Sequence, residues 1–308
     1  MPNWCNNALE IQCHSDKAGD VFDSLLDGSL MNRTSEIEYK MRKIFLAGLS
    51  GLLVPHISIT HELIIAVTRL NKALSNVNRR TDDQSAAYSQ FLALLVSGTI
   101  WLDNYELLES IYRRTGVGSM CWGDIPKRYR KAMKPFWKIC SFDYFNGKRD
   151  ISRWWSQSND LINDAKISHI DMRILTPKPI RVAVNGFNGG MLEKTESGYD
   201  YNQIVYGSKS SIISVARGET NQNYIFDTPW SPAITLTSLI PEFVALRLGI
   251  DTDVTDPEDI ISCNLYYYES GIGFQGINDS RWELVDYHDE ETDEYIDGLS
   301  PEIEAAFS

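Results

Sequence analysis

Apolar residues recur along this chain with two different spacings. Residues 8–13 alternate apolar and polar positions, as a half-buried strand does. Ser15 or Asp16 then caps a predicted helix whose apolar positions Val21, Phe22, Leu25 and Leu26 run up to Gly28. From Ser35 the period is helical: Ile37, Met41, Ile44, Phe45, Gly48 and Leu52 trace one face, and Pro55 stops it. Leu63, Val67, Leu70, Leu74 and Val77 predict the next helix, with Arg69, Lys72 and Arg79 turned away. Thr81, Asp82, Asp83 and Gln84 read as a capping box, hydroxyl and amide satisfying free backbone donors. The helix it opens runs through Ala87, Phe91, Leu94, Leu95 and Trp101. Asp103 to Glu106 starts another, with Arg113, Arg114 and Gly116 suited to its carboxyl end. Asp124 and Pro126 open a fifth, basic helix that Pro135 ends or kinks. Short connections predict antiparallel neighbours packed as a bundle.

After about residue 167 the spacing changes to two. Strands are predicted over residues 169–174, 180–184, 212–215 and 224–226. A turn rich in helix starters, residues 227–232, precedes a helix carrying Leu236, Leu239, Ile240 and Phe243. Residues 265–268, 272–274 and 282–285 then read as successive antiparallel strands, and residues 289–308 as a solvated acidic tail.

Charge reinforces this division. The chain of 308 residues, 43% hydrophobic and 23% charged, suits two folded units. Its net charge of −13 is unevenly spread. Residues 1–32 carry one lysine and five acids, residues 33–166 carry 20 basic and 13 acidic groups, and residues 167–308 carry 8 and 24. The sign reverses where the periodicity changes, which marks a boundary. The reading is an α+β protein in which a basic helical-bundle insertion, 33–166, interrupts a discontinuous acidic domain, 1–32 plus 167–288.

Several chemistries fail on spacing. Cys5, Cys13, Cys121, Cys140 and Cys263 form no C-x-x-C pair and no even framework, which points to a reduced cytoplasm and against zinc. The start lacks the basic and apolar runs of a signal peptide, and the apolar stretch 47–67 is broken by Pro55, His56, His61 and Glu62, so no membrane is expected. Residues 271–276 match G-x-G-x-x-G but lead into a turn and a strand, where a dinucleotide site needs a helix amino terminus. His56 and His61 lie five apart, not the four that aim two imidazoles at one metal. Residues 251–256 lack the glycine of a calcium loop, and Ser262 stands where its bidentate Glu belongs. No catalytic, cofactor or metal residue is assigned.

The strongest surface signal is the run Lys127, Arg128, Tyr129, Arg130, Lys131 and Lys134, followed by Phe136, Trp137 and Lys138. Cations interleaved with aromatics suit phosphate contacts plus base stacking, an acidic protein surface, or the chain's own acidic domain. Trp154 and Trp155 are either an exposed binding pair or two core residues. The candidate partner-binding set is therefore Lys127, Arg128, Arg130, Lys131, Lys134, Trp137, Trp154 and Trp155. The 24 carboxylates of residues 167–308 also permit mimicry of a phosphate backbone.

Further stretches carry a resemblance. They are the opening residues 1–7, residues 198–202 with 206–209, residues 226–232, and the hairpin 268–276. In this order they resemble the YubB-type ferredoxin-like family of phage and plasmid proteins, over residues 1–30 and about 170–287; Tyr201 and Tyr206 stand where members usually carry tryptophan. The resemblance implies a ferredoxin-like antiparallel sheet with helices on one face, no iron–sulfur cluster, and no catalytic residues to transfer. The expected function is a non-enzymatic accessory protein in the host cytoplasm. It would bind a host protein or complex, most concretely as an inhibitor of an anti-phage defence system, with self-association possible. The alternative is a nucleic-acid-binding accessory protein using residues 127–138, and a third reading is an enzyme whose cleft joins both domains.

Overall fold

The computed structural model describes residues 4–26, 29–57, 76–79, 81–140, 150–156, 168–218, 222–229, 231–269, 273–278, 281–284, 288–289 and 294–295. In chain order the elements are β1 (Trp4–Cys13), α1 (Asp16–Leu26), α2 (Ser29–Leu49), α3 (Asp83–Ser97), β2 (Thr99–Ile100), α4 (Tyr105–Arg114), α5 (Lys127–Cys140) and α6 (Ile151–Ser156). There follow β3 (Ser168–Asp171), α7 (Met172–Leu175), β4 (Lys178–Pro179), α8 (Ile180–Asn185), α9 (Gly198–Tyr206), β5 (Ile212–Arg217) and β6 (Asn223–Pro229). The last are α10 (Leu236–Leu248), β7 (Ile261–Glu269), β8 (Gly273–Asn278), β9 (Arg281–Leu284), β10 (His288–Asp289) and β11 (Glu294–Tyr295). The helix expected over residues 63–77 lies almost wholly outside the described residues. No described helix is long and apolar enough to cross a membrane.

The chain forms two compact units, one of residues 1–31, 164–176 and 202–308, the other of residues 32–163 and 177–201. In the first, seven strands lie in the order β3-β5-β6-β1-β7-β8-β9, every neighbour antiparallel. Within it β1, α1, β5, β6, α10 and β7 follow one another as βαββαβ with strand order β5-β6-β1-β7, which is the ferredoxin-like topology. Helices α1 and α10 pack on each other and on the sheet. Phe22 meets Tyr224 edge-on at 5.4 Å, and Leu9, Ile213, Val215, Phe243, Leu265 and Tyr267 fill the same core. Asn7 secures the central pair: its amide reaches the Cys5 carbonyl at 2.9 Å, the Phe226 carbonyl at 3.3 Å and Thr228 Oγ1 at 2.9 Å.

The second unit is helical around a single apolar cluster drawn from α2, α3, α4, α5, α6 and α8. Helices α2 and α3 meet where Gly48 faces Tyr88; a Cβ at residue 48 would overlap the Tyr88 hydroxyl. Only hydrogen fits there. The cap of α3 sits one residue later than Thr81: Asp82 Oδ1 accepts from Ser85 N at 2.7 Å, and Ser85 Oγ accepts from Asp82 N at 3.1 Å. An ionised carboxylate outcompetes a hydroxyl for the free amide, and these bonds lower the Asp82 pKa.

Two strand expectations give way to helix. The pattern at residues 169–174 is strand only to Asp171, whose carboxylate accepts from Arg173 N at 3.0 Å and so caps α7. Residues 180–184, expected as strand, form α8 after Pro179. Burial of Ile180, Val182, Ala183 and Val184 removes the polar face by which spacing tells strand from helix. Residues 177–201, assigned by charge to the strand-rich part, sit in the helical unit. Buried ions hold them there: Glu38 on α2 takes Arg42 at 2.9 Å and Lys178 at 3.1 Å, and Arg42 Nε donates to the Ala183 carbonyl at 3.0 Å. In the expected acidic tail, β10 and β11 pair with each other, while the rest lies outside the described residues.

Candidate functional site

The basic run forms α5, which starts directly after Pro126, whose carbonyl accepts from Tyr129 N at 2.9 Å. Helical spacing places Lys127, Lys131, Lys134 and Lys138 along one line about 16 Å long, at 1.5 Å per residue. All four are exposed, whereas Met133 and Phe136 are buried and Tyr129 and Trp137 half-buried behind them. Pro135 neither ends the helix nor lies in the packed face; it is exposed, as is Lys131, whose carbonyl loses its helical partner. Arg128 is exposed and lies over the Tyr129 ring at 4.5 Å. Arg130 is half-buried, and its Nε has no hydrogen-bond partner among the described residues.

This charge arrangement opposes the helix that carries it. The first turn holds no acid, so Lys127 and Arg128 face the positive end of the macrodipole, where each cation costs about 0.3–1 kcal/mol. Lysines three and four apart repel by a few tenths of a kcal/mol per pair, roughly. No ion pair relieves them among the described residues. Lys134 acts weakly on Asp150, an exposed carboxylate whose pKa is lowered chiefly by hydrogen bonds from Ser152 and least by Lys134.

The aromatic half of the expected site turns inward. Trp154 and Trp155, on α6, are 2% and 1% exposed, so they are core residues and cannot meet a partner. The Tyr39 hydroxyl reaches their carbonyls at 3.0 and 2.9 Å, and Trp155 Nε1 donates to the Met120 carbonyl at 2.8 Å. Trp137 packs on Trp154 with ring centroids 4.7 Å apart. It anchors α5 and is not a free platform for bases. Of the eight predicted site residues, the structure brings five cations together on α5 and commits the three tryptophans to packing.

Sequence reasoning missed a neighbouring cluster. Lys43, buried on α2, lies over the Trp155 ring at 4.7 Å and the Tyr39 ring at 5.7 Å, while Trp122 packs on Trp155 at 5.9 Å. Burial pulls the Lys43 amine down to about 8, and it pushes the Tyr39 hydroxyl well above its usual range. The only sequence signal was that Tyr39 and Lys43 lie four apart on one helix.

The other candidates have structural roles. Gly273 to Asn278 are strand β8, paired with β7 and β9, so no helix amino terminus follows the glycines. His56 Nδ1 lies 3.4 Å from the Ser85 carbonyl, and His61 is outside the described residues. Asp251 and Asp256 accept from Asp253 N and Glu258 N within their own loop, at 3.0 and 3.1 Å. An open polar hollow is lined by Cys13, His14, Asp16, Asp20 and Asp23. No group of residues able to hold a metal occurs among the described residues.

Comparison with known proteins corrects the resemblance. A family model described as "Protein of unknown function (DUF1281)" matches residues 37–210. The match covers the helical block that had no counterpart in the YubB-type resemblance, and it omits residues 1–30 and 211–287, where most of that resemblance was drawn; the YubB-type assignment is therefore overturned. The quoted stretches still meet in space, Asn6 donating to Asp227 at 2.7 Å and Ser231 to the Gly207 carbonyl at 2.6 Å, but as ties within the sheet unit. A crystal structure of a protein api92 from Yersinia pseudotuberculosis, itself matched to DUF1281, is similar with a TM-score of 0.63 at 20% identity, covering 91% of this chain and 95% of that one. At that identity the likeness concerns the fold alone. No curated protein matches.

Proposed function

The chain belongs to the DUF1281 family, and from that premise we propose that it is a non-enzymatic binding protein whose α5 face docks an acidic surface on a partner protein. The supporting observation is the line of exposed cations along α5, without an ion pair among the described residues and begun by Lys127 and Arg128 in the first turn, where the helix itself disfavours them. Such an arrangement weakens the free protein and is relieved when external carboxylates approach. An acidic protein suits it better than nucleic acid, because Trp137 and Tyr129 are packed and leave no stacking platform. The narrower expectation, an inhibitor of a host anti-phage assembly, took its host and its phage from the overturned resemblance, so the proposal stops at the chemistry of the partner.

The test is affinity capture from bacterial lysate, with and without nuclease treatment, using the wild-type chain and K127E/K131E/K134E, followed by the mass and stoichiometry of the complex. Exposed ion pairs contribute about 0.2–1 kcal/mol each. Losing three such pairs should therefore weaken capture of a stoichiometric acidic protein by about threefold to a hundredfold, at 1.4 kcal/mol per tenfold. Equal capture by both baits removes the proposal. Capture that disappears only with nuclease supports the nucleic-acid alternative, and recovery of the chain alone as a dimer identifies its own acidic unit as the partner.

A further inference from the structure

The cations of α5 are not equivalent. Lys127, Lys131, Lys134 and Lys138 stand exposed, whereas Arg130 is half-buried where their line meets the packed face, two turns before the half-buried Trp137. Helical spacing puts Lys127 and Lys134 beside it, three residues before and four after, with about 5–6 Å between Cβ atoms. The Arg130 Nε is shielded from water and has no hydrogen-bond partner. Its two terminal nitrogens are not shielded, and they too have no partner among the described residues. Arg42 and Arg173, which are sheltered as well, each donate to a carboxylate: Arg42 to Glu38 at 2.9 Å and Arg173 to Asp171 at 2.7 Å. Arg130 lacks the anion that these two have.

We propose that Arg130 is the anchor of the α5 face: its terminal nitrogens take one carboxylate of the acidic partner end-on, and the lysines around it form the rim. The inference rests on the reading of α5 as a docking face for an acidic protein, and it adds which cation carries the affinity. Folding has already removed water from the Nε side of Arg130 and restricted its side chain. An arriving carboxylate therefore displaces less water and freezes less motion than it would at an extended lysine. The planar fork also offers two parallel N–H donors to the two oxygens of one carboxylate, which an ammonium does not. Lys127 and Lys134 raise the positive potential around the fork, so their contribution is to steering and falls with salt. The same fork fits a phosphate, but a nucleic acid would need a stacking surface, and Trp137 is already packed on Trp154 at 4.7 Å.

The experiment titrates the full-length chain with poly-L-glutamate by calorimetry, at about 0.05 and 0.3 M salt. R130K keeps the charge and the stem but not the fork, and should weaken binding about tenfold or more at both salt concentrations. K131A should weaken it by about two- to fivefold at low salt and hardly at all at high salt. In a chain carrying isotope-labelled arginine, the Nε–H resonance that disappears in R130K or R130M should shift during the titration. If R130K binds like the wild-type chain while K127E/K131E/K134E does not bind, α5 remains a docking face but the proposal is overturned. If all three bind alike, the docking reading falls with it. If single-stranded DNA of matched charge shifts the Arg130 resonance and poly-L-glutamate does not, the anion is a phosphate and the proposal is overturned. The wild-type resonance decides the matter even if R130K binds weakly because it folds poorly: a bound chain with an unshifted Arg130 signal has no anchor there.

Discussion

The two units solve burial in different ways. The sheet unit carries 7 basic and 27 acidic groups, the helical unit 22 and 15. Despite its charge, the sheet unit seals its interior mostly with neutral groups such as Asn7, Asn223 and Thr228, and its fully buried ions, Asp171 and Arg173, pair bidentately at 2.7 and 2.8 Å. The helical unit buries Glu38, Lys43 and Lys178, with opposite charge for the first and third and, among the described residues, aromatic rings over the second. A large net charge therefore says little about which unit has charge in its core. Surface charge reports on partners and solubility, while core charge reports on how a segment is fastened.

The largest effect that would break this contrast is at Glu38. Glu38→Ala removes the buried carboxylate that Arg42 and Lys178 share and should cost about 3–5 kcal/mol. Urea unfolding with probes in each unit checks it, and the loss should appear in the helical unit's transition. The neutral counterpart, Asn7→Ala, removes three contacts in the sheet unit and should cost about 1–3 kcal/mol through unsatisfied buried carbonyls. If Asn7→Ala proves the more harmful change, the contrast between charged and neutral interiors fails.

A pH series sharpens the same point. Lys43 is lowered to about 8 in the folded chain and returns to about 10.4 on unfolding. Below pH 8 both states are protonated and the desolvation penalty is fully present. Between about pH 8 and 10 the unfolded state binds more protons, so stability should rise with pH, by on the order of 1–2 kcal/mol. Chemical denaturation at pH 7, 8 and 9 measures it, and Lys43→Met should flatten the rise.

The smallest expected effect lies at the surface. Lys127→Glu places an anion where the α5 dipole favours one and should stabilise the chain by about 0.5–1 kcal/mol, read as a higher Tm, while weakening partner capture. A destabilised Lys127→Glu chain would mean that the cations serve folding after all.

Much of this was legible in the sequence, for physical reasons. Alternation marked β1, β5 and β7 because one side of each is packed, and Val21, Phe22 and Leu25 marked α1 for the same reason. Arg113, Arg114 and Gly116 marked the carboxyl end of α4 because end signals are local chemistry, whereas its amino end, at Asn104, has no side-chain cap bond. At α8 the signal failed, since Ile180 to Val184 are apolar on nearly all sides and its helix depends on tertiary packing. Met172 to Leu175 failed for a different reason: one aspartate, Asp171, ends a strand and begins a turn of helix. For the candidate site, the cations of α5 were visible as a run, but their separation from Trp137, Trp154 and Trp155 was not. Only the packing of α6 against Tyr39 and Met120 decides which aromatic residues face inward. The Lys43–Trp155 contact was invisible because 112 positions separate the amine from the ring it covers.

The pairing of β1 has a consequence in time. Its partners β6 and β7 begin at Asn223 and Ile261, so a ribosome adding about 5–20 residues per second makes the first strand wait roughly 10–50 s for them. Throughout that interval β1 has two open edges and most of the chain still to come. Asn6, Asn7, Glu10 and Gln12, spread along ten residues, keep it from being a continuous sticky segment. The helices made in between can gather first, because their contacts are nearer in sequence. Synthesis order thus gives the newborn chain a helical core before it has this sheet, and the strand of the sheet that is made earliest is among the last to find its place.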